Sequence, residues 1–296
     1  MANDRLFNLA RVYLTQLEMV RDRGFLLNDV ENEILARSDR EWDPDEPIPL
    51  ELVQFLENYL ANLQERAYQL ARQSGSRQSI LTPRDLIWRE YQPGPGLHRE
   101  RKSFYVCYFS TGAEEDEVIS HDRFNELYKR IQDIYLASQR NRATTSQTTD
   151  APLSQVDVCI IAEQNFWKTD LAIKELLDLP GIFFQIFNES ELVFNITKCS
   201  SVDQHTGISE ATIGKLSAQY NLTRGRNQFP KLVDTDPVAR YYGLRPADRE
   251  TGTIADVVEI RRIWSGPEIL VKESVAYRTV ISDIRSRSKI NIGTWA

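Results

Sequence analysis

Ten residues, Thr235-Asp236-Pro237-Val238-Ala239-Arg240-Tyr241-Tyr242-Gly243-Leu244, restrict the backbone more than any other stretch of this chain. Pro237 locks its own φ near about −65° and pushes Asp236 toward an extended conformation. Asp236 therefore suits a helix N-cap, with Pro237 at the first helical position. Val238 to Tyr242 leave room for one or two short turns, which Gly243 can end in the left-handed region. Two adjacent tyrosines bring large apolar faces with polar tips, and Arg240 brings a planar fork of donors. The run carries no nucleophile beside a base. Two readings follow: a capped turn in a small core, or a docked surface of the Tyr and Arg types that dominate interfaces.

The flanks have a definite order. Residues 191–197 read as a strand, 209–222 as a helix leaving through Tyr220-Asn221-Leu222, and 228–232 as a short strand containing Pro230. Residues 257–262 and 277–280 read as two further strands. In that order, and with the ten-residue run between them, residues 189–281 resemble the fifth subunit of eukaryotic-type DNA-directed RNA polymerases and its archaeal counterpart. The resemblance implies a small α+β assembly domain with a mixed sheet that docks on the largest polymerase subunit. It also makes Asp236, Pro237, Arg240, Tyr241, Tyr242, Gly243, Tyr277 and Arg278 the anchoring constellation. For Tyr277 a core role stands beside the interface role.

The N-terminal part is similar to the same family through Arg5-Leu6-Phe7 and Asp22-Arg23-Gly24-Phe25. Between them Leu6, Leu9, Ala10, Tyr13, Leu17 and Val20 recur at helical spacing, and Gly24 suits the position after the helix. Strand-like runs at 104–109 and 156–161, a helical pattern at 168–179 and an apolar run at 182–187 make an α/β pattern. The resemblance implies a jaw domain with a nuclease-like but inactive fold, lying near downstream duplex DNA. The matching DNA-facing stretch is Asn165-Phe166-Trp167-Lys168-Thr169, so Asn165, Trp167 and Lys168 are the candidate contacts. In the alternative reading Phe166 and Trp167 pack the jaw and Lys168 is solvated.

Catalytic templates fail one by one. His98, His121 and His205 have no metal-like spacing, and Cys107, Cys159 and Cys199 form no CxxC pair. A nuclease site needs an acidic residue two positions before a Lys to hold Mg²⁺ and activate water. Asp157 and Glu163-Gln164-Asn165 place Asn where that Lys belongs. No catalytic residue, metal site, cofactor or small-molecule substrate is expected.

Charge is unevenly distributed. Residues 190–296 hold 15 Lys+Arg against 12 Asp+Glu, and residues 1–189 hold 21 against 31. An acidic N-terminal part is unlike an autonomous DNA binder, which carries a basic face. The acidic cluster 114–117 reads as a solvated loop. No apolar run reaches the roughly 18 residues of a membrane span, and residues 1–11 are too polar for a secretory signal. A soluble intracellular protein with no membrane partner is expected.

Residues 38–100 read as an insertion in the family pattern. Leu50, Val53, Leu56, Tyr59, Leu60, Leu63, Ala67 and Leu70 mark an amphipathic helix over 50–72. It either packs on its own domain or recruits another protein. The expected organisation is a jaw over 1–188 with that insertion and a polar loop at 138–154, an assembly domain over 189–281, and a tail over 282–296. The tail, with Arg285, Arg287, Lys289 and Trp295, reads as solvated, or as touching nucleic acid or an acidic partner. A subunit encoded by a cell would work in the nucleus. The insertion and diverged jaw also suit a large DNA virus, where the site would be a viral factory or the virion. The competing function is a free-standing transcription-related module that recruits its partner through helix 50–72.

Overall fold

The computed structural model describes residues 2–38, 87–95, 101–109, 155–163, 182–247, 254–263 and 273–282, with individual helical positions between 53 and 69 and between 128 and 136. The acidic cluster 114–117, the loop 138–154, the helical pattern 168–179, the stretch Asn165, Trp167 and Lys168, and the tail after Ser282 lie outside the described residues. The chain divides into two compact units, Met1–Phe194 and Asn195–Ala296.

The N-terminal unit begins with α1 (Ala2–Asp22) and α2 (Asp29–Ser38). Leu9, Ala10, Tyr13, Leu17 and Val20 are buried as their spacing predicts, but so are Val12, Thr15, Gln16, Glu18 and Met19. From Leu9 onward α1 is therefore enclosed on most sides, more than its single apolar stripe suggests. It ends as expected, with Gly24 at φ 86°. The Phe25 N–H then donates to the Val20 carbonyl and the Gly24 N–H to the Arg21 carbonyl, satisfying groups that a helix end leaves open. A reciprocal cap starts α2. The Glu31 N–H donates to Asn28 Oδ1 at 2.8 Å, and the Asn28 N–H donates to Glu31 Oε2 at 3.1 Å.

A four-stranded sheet, β1 (Trp88–Tyr91), β2 (Arg101–Phe109), β3 (Gln155–Ala162) and β4 (Ile182–Asn188), follows in that spatial order. β1 runs antiparallel to β2, while β2, β3 and β4 are parallel. Parallel strands are covered on both faces, so their sequences read as continuous apolar runs. Cys107, Phe109, Val156, Val158, Ile160 and Ile131 pack one face. On the other, Phe25 meets Phe104 with ring centroids 5.1 Å apart, and the Arg23 guanidinium lies 4.8 Å over the same ring. Strand β1 comes from the stretch read as an insertion, which thus supplies an edge strand of this sheet. The turn after it is pinned to the end of α1: the Leu26 N–H donates to the Gln92 carbonyl, and the Gly94 N–H to the Gly24 carbonyl.

In the C-terminal unit, β5 (Gln204–Gly207), α3 (Glu210–Gln219), β6 (Lys231–Val233), α4 (Pro237–Tyr241), β7 (Val257–Ile263) and β8 (Glu273–Ile281) follow in sequence. The sheet order is β5-β7-β8-β6. β7 is antiparallel to both its neighbours and β6 is parallel to β8, so the sheet is mixed. Alternation along β7 and β8 sends side chains to two faces. Val257 packs with Phe229 and with Ile213 and Leu216 of α3. Val258 and Val280 pack with Leu232, Leu244 and Ala239 of α4.

One expectation is corrected. Residues 191–197 form no strand but short 3-10 turns, Glu189–Glu191 and Ile196–Lys198. The Asn195 side chain accepts from the Thr197 N–H at 2.9 Å and from the Thr197 hydroxyl at 2.6 Å, which bends the backbone out of a strand path.

Candidate assembly surface

The ten-residue run folds as its capping residues dictate. Asp236 Oδ1 accepts from the backbone N–H of Val238 at 2.9 Å and of Ala239 at 3.1 Å, with Pro237 at the first helical position. Gly243 at φ 62° ends α4, where the Leu244 N–H donates to the Ala239 carbonyl and the Gly243 N–H to the Arg240 carbonyl.

This geometry splits the anchoring constellation. Tyr241 is only 2% exposed, so its ring belongs to the core rather than to any outer surface. Its hydroxyl accepts a 2.8 Å hydrogen bond from Asn195 Nδ2, and its ring meets Tyr242 edge-on at 5.2 Å. Gly243 is likewise buried, while Asp236, Arg240 and Tyr242 are half-buried and Pro237 is exposed. Tyr242 packs at the edge of the cluster around Ala239 and Val258. Tyr277 and Arg278 are consecutive on β8 and so point to opposite faces. The Tyr277 ring lies 6.1 Å from Phe229, half-buried. Burial, then the Glu259 carboxylate paired with it across the strands, pushes its hydroxyl up from its ordinary pKa. Arg278 is exposed and reaches the Lys231 carbonyl at 3.5 Å. Within the constellation Pro237 and Arg278 are therefore exposed, Asp236, Arg240, Tyr242 and Tyr277 half-buried, and Tyr241 and Gly243 part of a buried frame.

Other members of that frame escaped the sequence reading. Arg245 is buried; its backbone N–H donates to Asp256 Oδ2 at 2.7 Å, and the Asp256 N–H donates back to the Arg245 carbonyl at 2.9 Å. This exchange pins the segment after α4 to the start of β7. Asn195 carried a readable signal, because Asn-x-Thr matches a local Asx turn as well as a glycosylation acceptor. Arg245 carried none.

The far end of the β7–β8 hairpin is exposed from Arg261 to Ile263 and from Glu273 to Ala276, with Ile263 at 72%. Arg262 grips Asp203 with contacts of 3.1, 3.0 and 2.8 Å, tying the approach to β5 onto this hairpin. Those hydrogen bonds hold the Asp203 carboxyl below its ordinary pKa.

Residues 194–280 match the family model described as RNA polymerase Rpb5, C-terminal domain. The match spans the mixed sheet, both helices and the capped run. Over 92 residues the chain is 35% identical to "DNA-directed RNA polymerase subunit 5-like protein 1" of Arabidopsis thaliana, covering 31% of this chain and 38% of that protein. It is 34% identical over 86 residues to "DNA-directed RNA polymerases I, II, and III subunit rpabc1" of Dictyostelium discoideum, covering 29% and 43%. It is 38% identical over 66 residues to "DNA-directed RNA polymerases I, II, and III subunit RPABC1" of Caenorhabditis elegans, covering 22% and 30%. The chain thus spans less than half the length of each of these relatives. Outside the matched residues, Asp157 of the nuclease reading is 1% exposed, between Phe104 and Phe183 in the sheet. Among the described residues no helix is long and apolar enough to cross a membrane.

Proposed function

We propose that this chain is a non-catalytic subunit of a multisubunit DNA-directed RNA polymerase, assembled through its C-terminal unit onto the largest subunit. The observation that carries this reading is the match of residues 194–280 to the Rpb5 C-terminal domain. Buried Tyr241, Asn195, Gly243 and Arg245, with half-buried Asp256, form the frame beneath the outer surface. Pro237, Arg240, Tyr242 and Arg278 are the groups that meet the partner, with Asp236 fixing their turn. Tyr277 serves the core on the opposite face. Residues 1–188 are the jaw of the subunit and lie near downstream DNA, with Asn165, Trp167 and Lys168 as the contacts. In a cellular host the subunit works in the nucleus; in a large DNA virus it works in the factory or the virion.

Affinity purification of the tagged chain from its native source, with quantitative mass spectrometry, tests this. One copy per pair of large polymerase subunits is expected. Recovery without them refutes it. Arg240→Glu with Arg278→Glu should remove the chain from the polymerase while circular dichroism shows that the full chain still folds.

The competing module reading relies on the apolar face of helix 50–72. Val53 of that helix is 5% exposed, and Tyr59 lies beneath the Arg89 guanidinium of β1. That face is turned toward its own unit at both positions, which favours self-packing.

A further inference from the structure

Among the described residues the Arg89 cation, which also faces Tyr13 of α1, ties the inserted helical segment to the rest of its unit. The Arg89 guanidinium carbon lies 5.5 Å over the Tyr59 ring centroid, and Arg89 Nε lies 4.0 Å from Glu31 Oε1. Glu31 is buried and cannot swing away, because its carboxylate also caps α2 through the Asn28 N–H. The same carboxylate accepts from the Tyr91 hydroxyl at 3.2 Å, and that hydroxyl accepts from Gln16 Nε2 at 3.1 Å. Burial, then the Glu31 carboxylate, pushes Tyr91 well above its ordinary range, so its hydroxyl remains a donor. One connected set therefore joins α1, α2, β1 and the helical positions around Tyr59. On those positions Phe55 stacks on Tyr59 at 6.1 Å and 4°, while Gln54, Glu57, Asn58, Ala61, Asn62, Glu65 and Gln69 are exposed. Apart from Ala61 these described exposed positions are polar, as on a solvated helix face.

We propose that Arg89 is a latch: the segment 53–69 stays seated on α1, α2 and β1 while Arg89 bridges the Tyr59 ring and the Glu31 carboxylate. A planar guanidinium can stack and pair at once, which an ammonium cannot do equally well. The insertion is thereby coupled to the start of α2, and anything that displaces α2 frees the segment.

Hydrogen exchange on the full chain tests the latch. Arg89→Ala should raise exchange in peptides covering 53–69 roughly two- to thirtyfold, the range of a cation–π contact, and leave 155–163 unchanged. Arg89→Lys should fall between wild type and Arg89→Ala. Tyr59→Leu keeps apolar bulk and removes the ring face, so it reads the same contact if Arg89→Ala unfolds the whole unit. It should raise exchange at 53–69 to a similar degree, and combining it with Arg89→Lys should add little. Unchanged exchange at 53–69 in Tyr59→Leu, or full additivity of the two changes, overturns the latch.

Discussion

Asn195 donates from Nδ2 to the hydroxyl of Tyr241 at 2.8 Å, and both residues are 2% exposed. The same Asn195 accepts through Oδ1 from Thr197, so a single side chain shapes the turn that opens the C-terminal unit and fixes the tyrosine at its centre. Asn195→Ala leaves a buried hydroxyl and two local donors to find new partners, and should cost about 1–3 kcal/mol. Tyr241→Phe removes the hydroxyl, leaves the buried Asn195 Nδ2 donor unmatched and should cost about 1–3 kcal/mol. Urea unfolding of the full chain, followed by a probe in the C-terminal unit, checks both values.

The N-cap of α4 is a second isolated contribution. Asp236 satisfies two backbone donors with one oxygen. Asp236→Ala should destabilise the C-terminal unit by about 1 kcal/mol, whereas Asp236→Asn should cost far less. Equal losses for the two variants would mean that the charge, not the cap, matters.

Gly94 marks a contact that no larger residue can enter. A Cβ there would stand 2.7 Å from the Gly24 carbonyl oxygen, a backbone atom held by the end of α1. Gly94→Ala should therefore separate the β1 turn from α1 and cost about 1–3 kcal/mol, as overpacking does. A lowered urea midpoint for the N-terminal unit, with the C-terminal unit unaffected, is the expected result.

Asp203 supplies a pH-dependent contact. Its folded carboxyl titrates below the ordinary range because Arg262 hydrogen-bonds the charged form. The contribution to stability is therefore present above the unfolded carboxylate pKa, about 4, and is lost as pH falls through the lower folded value. Its size is small, since the pair sits near solvent. An NMR titration should place Asp203 below a free aspartate, and Arg262→Ala should return it to the ordinary range.

Much of the C-terminal unit was legible because its signals are local. Asp236, Pro237 and Gly243 encode a cap, a first turn and a stop within eight residues, and the β7 and β8 runs are strongly strand-forming. Ser209 likewise marked the start of α3, where its side chain accepts from the Thr212 N–H. The failures were also local in origin. Residues 191–197 carry strand-forming side chains, but the Asn195–Thr197 hydrogen bonds override that propensity. At the candidate surface, spacing identified Tyr241 and Tyr242 but not which of them faces outward; that depends on Asn195, 46 positions away. The Arg245–Asp256 exchange and the Arg89–Tyr59 stack join residues that no periodicity links.

The strand order β5-β7-β8-β6 puts the last described strand in the interior of the sheet. During synthesis, β6 has no partner and β7 only β5 until residues 273–281 have left the ribosome. The face built on Val258 and Val280 cannot close before then, so a nascent chain stalled before Glu273 would leave it exposed as a substrate for chaperones.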